Sequence, residues 1–435
     1  VTNRTVFADI VERIDELSPG ITALADHLWN LNEIGLKEFK SSAAVEDMLR
    51  QHGFTIRHKG AGGIATAFVA EIGAGAPVIG ILCEFDALPG LANAAVPHRE
   101  GREDGQVDGH GCGHNLIGSG AVGAAIALRQ WLAATGTPGT LRLYACPAEE
   151  NWSGKALMAR DGVFDDLDAA LHWHPTDNSA VHNIRTTAYA DLMVRFHGRT
   201  AHSGNAPWDG RSASHAAEIF VHGINAMREH IKPTARVHYY IKHGGDAVNI
   251  IPNETAVHAR FREETVEAAE AGVAWLHQIA AAAAMATQTT HDVTTLTAAN
   301  DIMCNTPLAQ RAQTIVEMLG APAWDEGEQA FARELQRNNG LPERGLNTSV
   351  APLAPEPLIG ASSDVGDVSK MTPTMGFSYP TIPIGIALHS WGATASHGTT
   401  IGHKGALHAA KAIAALGAEL FADGELRAEA KADFL

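Results

Sequence analysis

Leu141-Arg142-Leu143-Tyr144-Ala145-Cys146, running through Pro147-Ala148 into Glu149-Glu150, is a short apolar run that stops on two adjacent carboxylates. Its length and its polar boundary read as a buried strand. The pattern repeats outward from it. Val78-Ile79-Gly80-Ile81-Leu82 leads to Glu84 and Asp86, Ala169-Ala170-Leu171 to His172 and His174, and Ile382-Pro383-Ile384-Gly385-Ile386-Ala387-Leu388 to His389. Helical stretches such as 121–134 and 407–420 lie between them. Apolar strands alternating with helices predict an α/β fold whose sheet is mixed, largely parallel and flanked by helices. Ligands bind such sheets beyond the carboxyl ends of the strands, so four strand ends are expected to face one site.

The texture changes from about residue 188. Ala190-Asp191-Leu192-Met193-Val194-Arg195-Phe196 alternates like a half-exposed strand, and a helix follows from 213 to about 230. Two more alternating stretches, Arg236-Val237-His238-Tyr239-Tyr240-Ile241 and Ala256-Val257-His258-Ala259-Arg260-Phe261-Arg262, precede a helix from 266 onward. This order predicts a smaller α+β unit on an antiparallel sheet, inserted into the first domain. The expected division is 1–187 and 291–435 for the catalytic domain and 188–290 for the insert. No heptads, internal repeats or low-complexity linkers interrupt the chain.

At 435 residues, 45% hydrophobic and 19% charged, the chain has room for two ordinary domains with a large core. A formal charge of −17, from 32 basic and 49 acidic residues, argues against nucleic acid or an anionic membrane as partner. A small-molecule substrate fits better. The four cysteines, Cys83, Cys112, Cys146 and Cys304, form no close-spaced framework, so a reducing, cytoplasmic setting is expected. The N-terminal residues lead into an amphipathic helix with Val6, Ile10, Ile14 and Leu17 on one face, unlike a signal peptide. No run reads as long enough to span a bilayer, the alanine-rich 279–286 included.

The chemistry collects at a few short motifs. In Gly109-His110-Gly111-Cys112-Gly113-His114-Asn115, a thiol and an imidazole flank a glycine that lets the backbone approach a metal closely. Alone, Cys-x-His is equally a buried cysteine near a helix start, or a cysteine nucleophile beside a histidine. Glu149-Glu150 discriminates. An arbitrary Glu-Glu pair is usually a solvated turn, but this one follows a buried-looking strand. There one carboxylate can bind a metal while its neighbour takes a proton from metal-activated water, which suggests hydrolysis. His172 and His174, two apart on an extended segment, offer one further ligand between them. His389 offers another, with His397 and His403 as competitors.

Six stretches in order resemble the M20 family of metal-dependent peptidases and amidohydrolases, in its Cys-Gly-His branch. They are Asn32-Glu33-Ile34-Gly35-Leu36-Lys37-Glu38, Glu84-Phe85-Asp86-Ala87-Leu88-Pro89, Gly111-Cys112-Gly113-His114-Asn115, Pro147-Ala148-Glu149-Glu150, Gly198-Arg199-Thr200-Ala201-His202 and Val248-Asn249-Ile250-Ile251-Pro252. The resemblance covers nearly the whole chain. It implies Cys112, His114, Glu150, His174 and His389 as ligands of one or two divalent ions, manganese or zinc. It further implies Glu149 as general base and Asp86 as a support behind the ligands. The insert would be a lid and dimerisation domain of a homodimer. His202 of the partner subunit, joined by Asn249, would then stabilise the tetrahedral oxyanion.

Departures from the family pattern bear on substrate. Glu149-Glu150 is followed by Asn151-Trp152 where relatives usually carry two glycines, so Trp152 either reshapes the pocket or packs into the core. Arg211 and Arg262 are candidates for a bidentate grip on a substrate carboxylate, or for surface ion pairs. Ser363-Asp364 and Asp367 either shape a pocket mouth or cap a helix. The expected activity is metal-dependent hydrolysis of a C–N bond in a small, aromatic, carboxylate-bearing amide. The alternatives are hydrolytic deamination of an aromatic amine and a non-catalytic binding or assembly subunit.

Overall fold

The computed structural model describes residues 4–435 as two compact units, the first comprising 4–184, 303–357 and 367–435 and the second 185–302 and 358–366. The insert is therefore longer than expected. Its strand Thr290–Ala299 lies beyond the anticipated boundary at 290, because an edge strand alternating threonines with apolar residues reads as a polar loop. Residues 358–366 also return to it.

The first unit is built on a seven-stranded sheet. In chain order its strands are β1 (Thr55–Arg57), β2 (Phe68–Ala74), β3 (Val78–Cys83), β4 (Gly139–Ala145), β5 (Ala169–Thr176) and β6 (Ala180–Val181), and it closes with the late strand Thr374–Pro380. The strands β7 (Ala188–His197), β8 (Arg236–His243), β9 (Glu254–Glu263) and β10 (Thr290–Ala299) intervene in the chain, so Thr374–Pro380 is β11. The spatial order is β1-β2-β4-β3-β5-β11-β6. β4, β3, β5 and β11 run parallel, while β1, β2 and β6 pair antiparallel at the edges. From central β3 the chain crosses to β4 on one side and later to β5 on the other, which opens a crevice above the carboxyl ends.

Helices Arg4–Leu31, His114–Thr135 and Thr400–Ala422 pack together over this sheet, and their Ile10, Ile14, Leu28, Ile117, Ile126 and Ile413 join Phe68, Ile81, Leu143 and Phe377 in one core. His114–Thr135 and Thr400–Ala422 are in fact long and apolar enough to cross a membrane, which corrects the reading that no such run exists. However, 78% and 83% of their apolar windows are buried within the protein, as in core helices. A second correction concerns 382–388. That apolar run is loop rather than strand, because Pro383 removes a ladder donor and Gly385 adopts φ +84°. The buried strand is β11 just before it.

The second unit is a four-stranded antiparallel sheet, β10-β7-β9-β8. Leu192, Val194, Phe196, Val257 and Phe261 face helices Ala213–Met227 and Val266–Thr287, with Phe220, Ile224 and Leu276 filling the layer between. The alternate residues Asp191, Arg260 and Arg262 occupy the opposite sheet face.

Candidate metal centre

Three parallel strand ends deliver the acidic and imidazole groups. β3 leads to Glu84 and Asp86, β4 to Glu149 and Glu150 on the one-turn helix Glu149–Trp152, and β5 carries His174. The loop over 109–113 supplies Cys112, and His114 opens the helix His114–Thr135. His389 arrives from the loop after β11, its N–H donating to the Gly111 carbonyl at 2.9 Å. Ligand atoms of Cys112, His114 and His174 lie within 4.8 Å of one another, as do those of Cys112, Glu150 and His389. Cys112 Sγ is 3.4 Å from His174 Nε2, and Glu150 Oε2 is 3.4 Å from His389 Nε2. All five expected ligands are thus brought together. His397 and His403 are not: His397 is bonded to Thr381 and the His110 carbonyl, and His403 to Asp26.

Asp86 sets the orientation of two of these groups. One oxygen accepts from His114 Nδ1 at 2.9 Å and the other from the Glu150 N–H at 3.1 Å. His114 Nε2 is thereby turned toward the cluster. His174 Nδ1 donates to the Pro175 carbonyl at 2.8 Å, which likewise frees its Nε2. His172 belongs to none of these ligand groups; its ring lies 5.2 Å from that of His182, which is also 6.4 Å from the His174 ring. Between the two histidines of β5, His174 is the one in the site.

A divalent ion suits this donor set. His114 Nε2 and Glu150 Oε1 are buried and make no hydrogen bond, a costly arrangement unless something else meets them. Burial, and then the charge of Glu150, push the Cys112 thiol well above its ordinary range. Burial opposes protonation of His114, but Cys112 and Asp86 outweigh it and hold the ring well above the usual histidine range. Burial raises Glu150 to about 7. Each of these groups sheds a proton to hold a cation, so affinity should rise with pH.

Two residues of the centre escaped the sequence reading as site residues. Glu84 is 5% exposed, with Oε2 3.4 Å from His114 Nε2, and it forms a further possible ligand set with His114 and Glu149. Its other oxygen meets the ammonium of fully buried Lys155 at 2.5 Å. The available signal for Glu84 was its place at a strand end. Lys155 carried none.

Trp152 is 44% exposed rather than packed in the core, and its indole edge lies beside Gly35. In the second unit, His202 and Asn249 are exposed and adjacent, since Ser203 N–H donates to the Asn249 carbonyl. His202 Nδ1 accepts from the N–H groups of Gly204 and Asn205, which leaves Nε2–H as a free-facing donor. Arg262 bonds Ser362 through one nitrogen and stacks near Tyr189. Arg211 differs from expectation. It donates to Gln288 and to the Trp208 and Gly210 carbonyls, so it braces its loop and is not available for a bidentate grip. Ser363 accepts from the Val365 N–H at 3.3 Å, just ahead of the helix Val365–Ser369.

A sheet with this crevice and this donor cluster defines a metal-dependent hydrolase of C–N bonds. The chain belongs to Peptidase family M20/M25/M40, whose profile matches residues 81–332. It is 37% identical to a p-aminobenzoyl-glutamate hydrolase subunit of Escherichia coli (strain K12), over 94% of this chain and 90% of that one. It is 30% identical to the Xaa-Arg dipeptidase of Mus musculus, over 65% and 64%. Its fold is shared with an aminobenzoyl-glutamate utilization protein from Klebsiella pneumoniae, at TM-score 0.62 and 19% identity over 90% of this chain and 97% of that one. A dinuclear metal-binding M20 peptidase from Bacillus subtilis has the fold too, at TM-score 0.58 and 17% identity over 91% and 98%.

Proposed function

We propose that this protein hydrolyses the amide bond of an N-acylated amino acid with an aromatic acyl group, of the p-aminobenzoyl-glutamate type. The observation that carries the reading is the placement of Glu149 against the donors: two ligand groups, Cys112-His114-His174 and Cys112-Glu150-His389, form without it, while its carboxylate lies within 4.8 Å of ligand atoms of His114 and Glu84. The similarity to a p-aminobenzoyl-glutamate hydrolase along nearly the whole chain supports the substrate class. So does the exposed Trp152 indole next to Glu149, a flat apolar surface suited to an aromatic ring.

Cys112, His114, Glu150, His174 and His389 would hold one or two divalent ions, zinc or manganese. When bound, the metal supplies Lewis-acid polarisation and water activated near neutral pH. Glu149 takes a proton from the attacking water and returns it to the leaving nitrogen as the C–N bond breaks, giving a carboxylic acid and a free amino acid. Asp86 keeps His114 and the Glu150 backbone in register through both steps. The chain acts as a homodimer in which the partner subunit's His202 meets the oxyanion through an N–H. Asn249 joins that contact, and Arg262, with two guanidinium nitrogens making no hydrogen bond among the described residues, takes the substrate carboxylate. A reducing, cytoplasmic setting keeps the Cys112 thiol competent as a ligand.

The test is to strip the protein with chelator, restore zinc or manganese, and assay aroyl-amino acids and aminobenzoates. Glutamate or another amino acid should be released from the amides, and only after metal is restored. Ammonia released from an aminobenzoate would instead support deamination. Activity that survives metal removal but dies on alkylating Cys112 would overturn the metal reading. Glu149→Gln should keep its metal and lose roughly 100-fold or more in kcat.

A further inference from the structure

Gly113, between the donors Cys112 and His114, sits in a slot. Its backbone has φ +85°, and a Cβ there would lie 2.8 Å from Pro175 Cγ on one side and 2.9 Å from His397 Cε1 on the other. His397 closes the helix Trp391–His397 and is fully buried. A carbonyl cannot donate, so its Nδ1, 2.8 Å from the His110 carbonyl, carries the hydrogen. Nε2 then accepts from the Thr381 hydroxyl at 3.1 Å. The backbone carbonyl of His397 accepts from Asn115 Nδ2 at 3.4 Å. One residue therefore bonds the chain on both flanks of Cys112-Gly113-His114 while its ring edge presses on the glycine between them.

We infer that His397 is a positioning residue for the metal centre, the template that fixes the Cys112–His114 turn so that both donors face the same point. The inference rests on reading that cluster as a metal site. A turn holding Gly109, Gly111 and Gly113 has wide backbone freedom, and removing the template should let the donors diverge. A ring with one donor and one acceptor is required because a hydrocarbon side chain leaves the His110 carbonyl with the Gly113 N–H alone, at 3.2 Å, and takes the acceptor from the Thr381 hydroxyl. Burial, which lowers the ring to about 4, keeps it in the neutral form these two bonds need.

Two readouts on the full-length protein test this: zinc affinity by competition with a chromophoric chelator, and the rate at which iodoacetamide alkylates Cys112 in zinc-free protein, located by peptide mass spectrometry. His397→Leu, with an unchanged melting temperature, should bind zinc about 10- to 100-fold more weakly and expose Cys112 to several-fold faster alkylation. His397→Asn, which keeps a donor for the His110 carbonyl, should recover much of both, and Thr381→Val should fall between wild type and His397→Leu. A folded His397→Leu protein with wild-type zinc affinity and wild-type protection of Cys112 overturns the inference. So does a His397→Asn protein no better than His397→Leu, which assigns the loss to packing alone. If His397→Leu does not fold, a Thr381→Val protein indistinguishable from wild type overturns it. Wild-type protein that binds no zinc removes the metal reading, and the alkylation comparison then decides the template by itself.

Discussion

Lys155 carries its charge where no water reaches, 2.5 Å from Glu84. A buried ion pair adds little net stability, but deleting one partner leaves the other stranded. Lys155→Met is expected to destabilise the protein by about 3–5 kcal/mol, read as a lower urea midpoint at unchanged slope. Adding Glu84→Gln should recover part of the loss, whereas a Lys155→Met midpoint equal to wild type would contradict the pairing. Glu38 makes the pH case. Its carboxylate accepts from the Ala148 N–H at 2.8 Å and the Thr66 hydroxyl at 3.1 Å, and so ties the turn before Glu149 to the N-terminal segment. Burial, then the Asp86 charge, raise it to about 7 despite those bonds. The folded state therefore holds a proton that the unfolded chain releases near the ordinary value of 4.5. The stability tied to that proton is fully present below that value and is lost as pH rises toward 7, on the order of 3 kcal/mol in all. In metal-free protein, Glu38→Gln should remove this slope, measured as the wild-type minus variant difference in unfolding free energy between pH 5 and 8. A difference that stays flat would contradict it. Residues of this kind are hard to read in a sequence, because most glutamates and lysines are solvated. Cys112, His114 and Glu150 were legible because they stand where apolar runs and glycines stop.

At the scale of elements, the strand ends were legible and the edges were not. β3 announces itself as an unbroken apolar run, and β4 and β5 as mainly apolar stretches interrupted by Arg142 and by His172 and His174, because most of their residues are covered. β11 hides, since its Thr374-Met375-Gly376-Phe377-Ser378-Tyr379-Pro380 is less apolar than the loop that follows, although every residue is buried. β10 hides for the opposite reason, with one face exposed and rich in threonine. The start of helix His114–Thr135 depends on Gly113 in the left-handed region at φ +85°. Gly113→Ala should cost about 1–2 kcal/mol for the backbone alone, and more for the contacts with Pro175 and His397. Calorimetry should show the lower stability together with weaker zinc binding. A variant as stable as wild type would show that the slot relaxes.

For the whole molecule, the two-unit plan and the α/β class follow from the switch in hydrophobic period near residue 188, and the chemistry from the order of six motifs. What the sequence withheld is the return of residues 358–366 to the second unit and the inward ion pair, since both depend on contacts far apart in the chain. Binding energy at the metal centre is folding energy for the unit that holds it. Chelation should therefore lower the melting temperature of that unit, and zinc at 100 times its Kd should restore about 2.7 kcal/mol. A melting curve indifferent to chelator would argue against a resident ion. The most direct measurement is anomalous diffraction at the zinc edge from crystals grown with zinc. The account predicts a peak about 2.3 Å from Cys112 Sγ and about 2.0–2.2 Å from ligand atoms of the His114, His174, Glu150 and His389 set, with the Glu149 carboxylate outside bonding distance. A peak that excludes Cys112 and Glu150, or no peak at all, would contradict it.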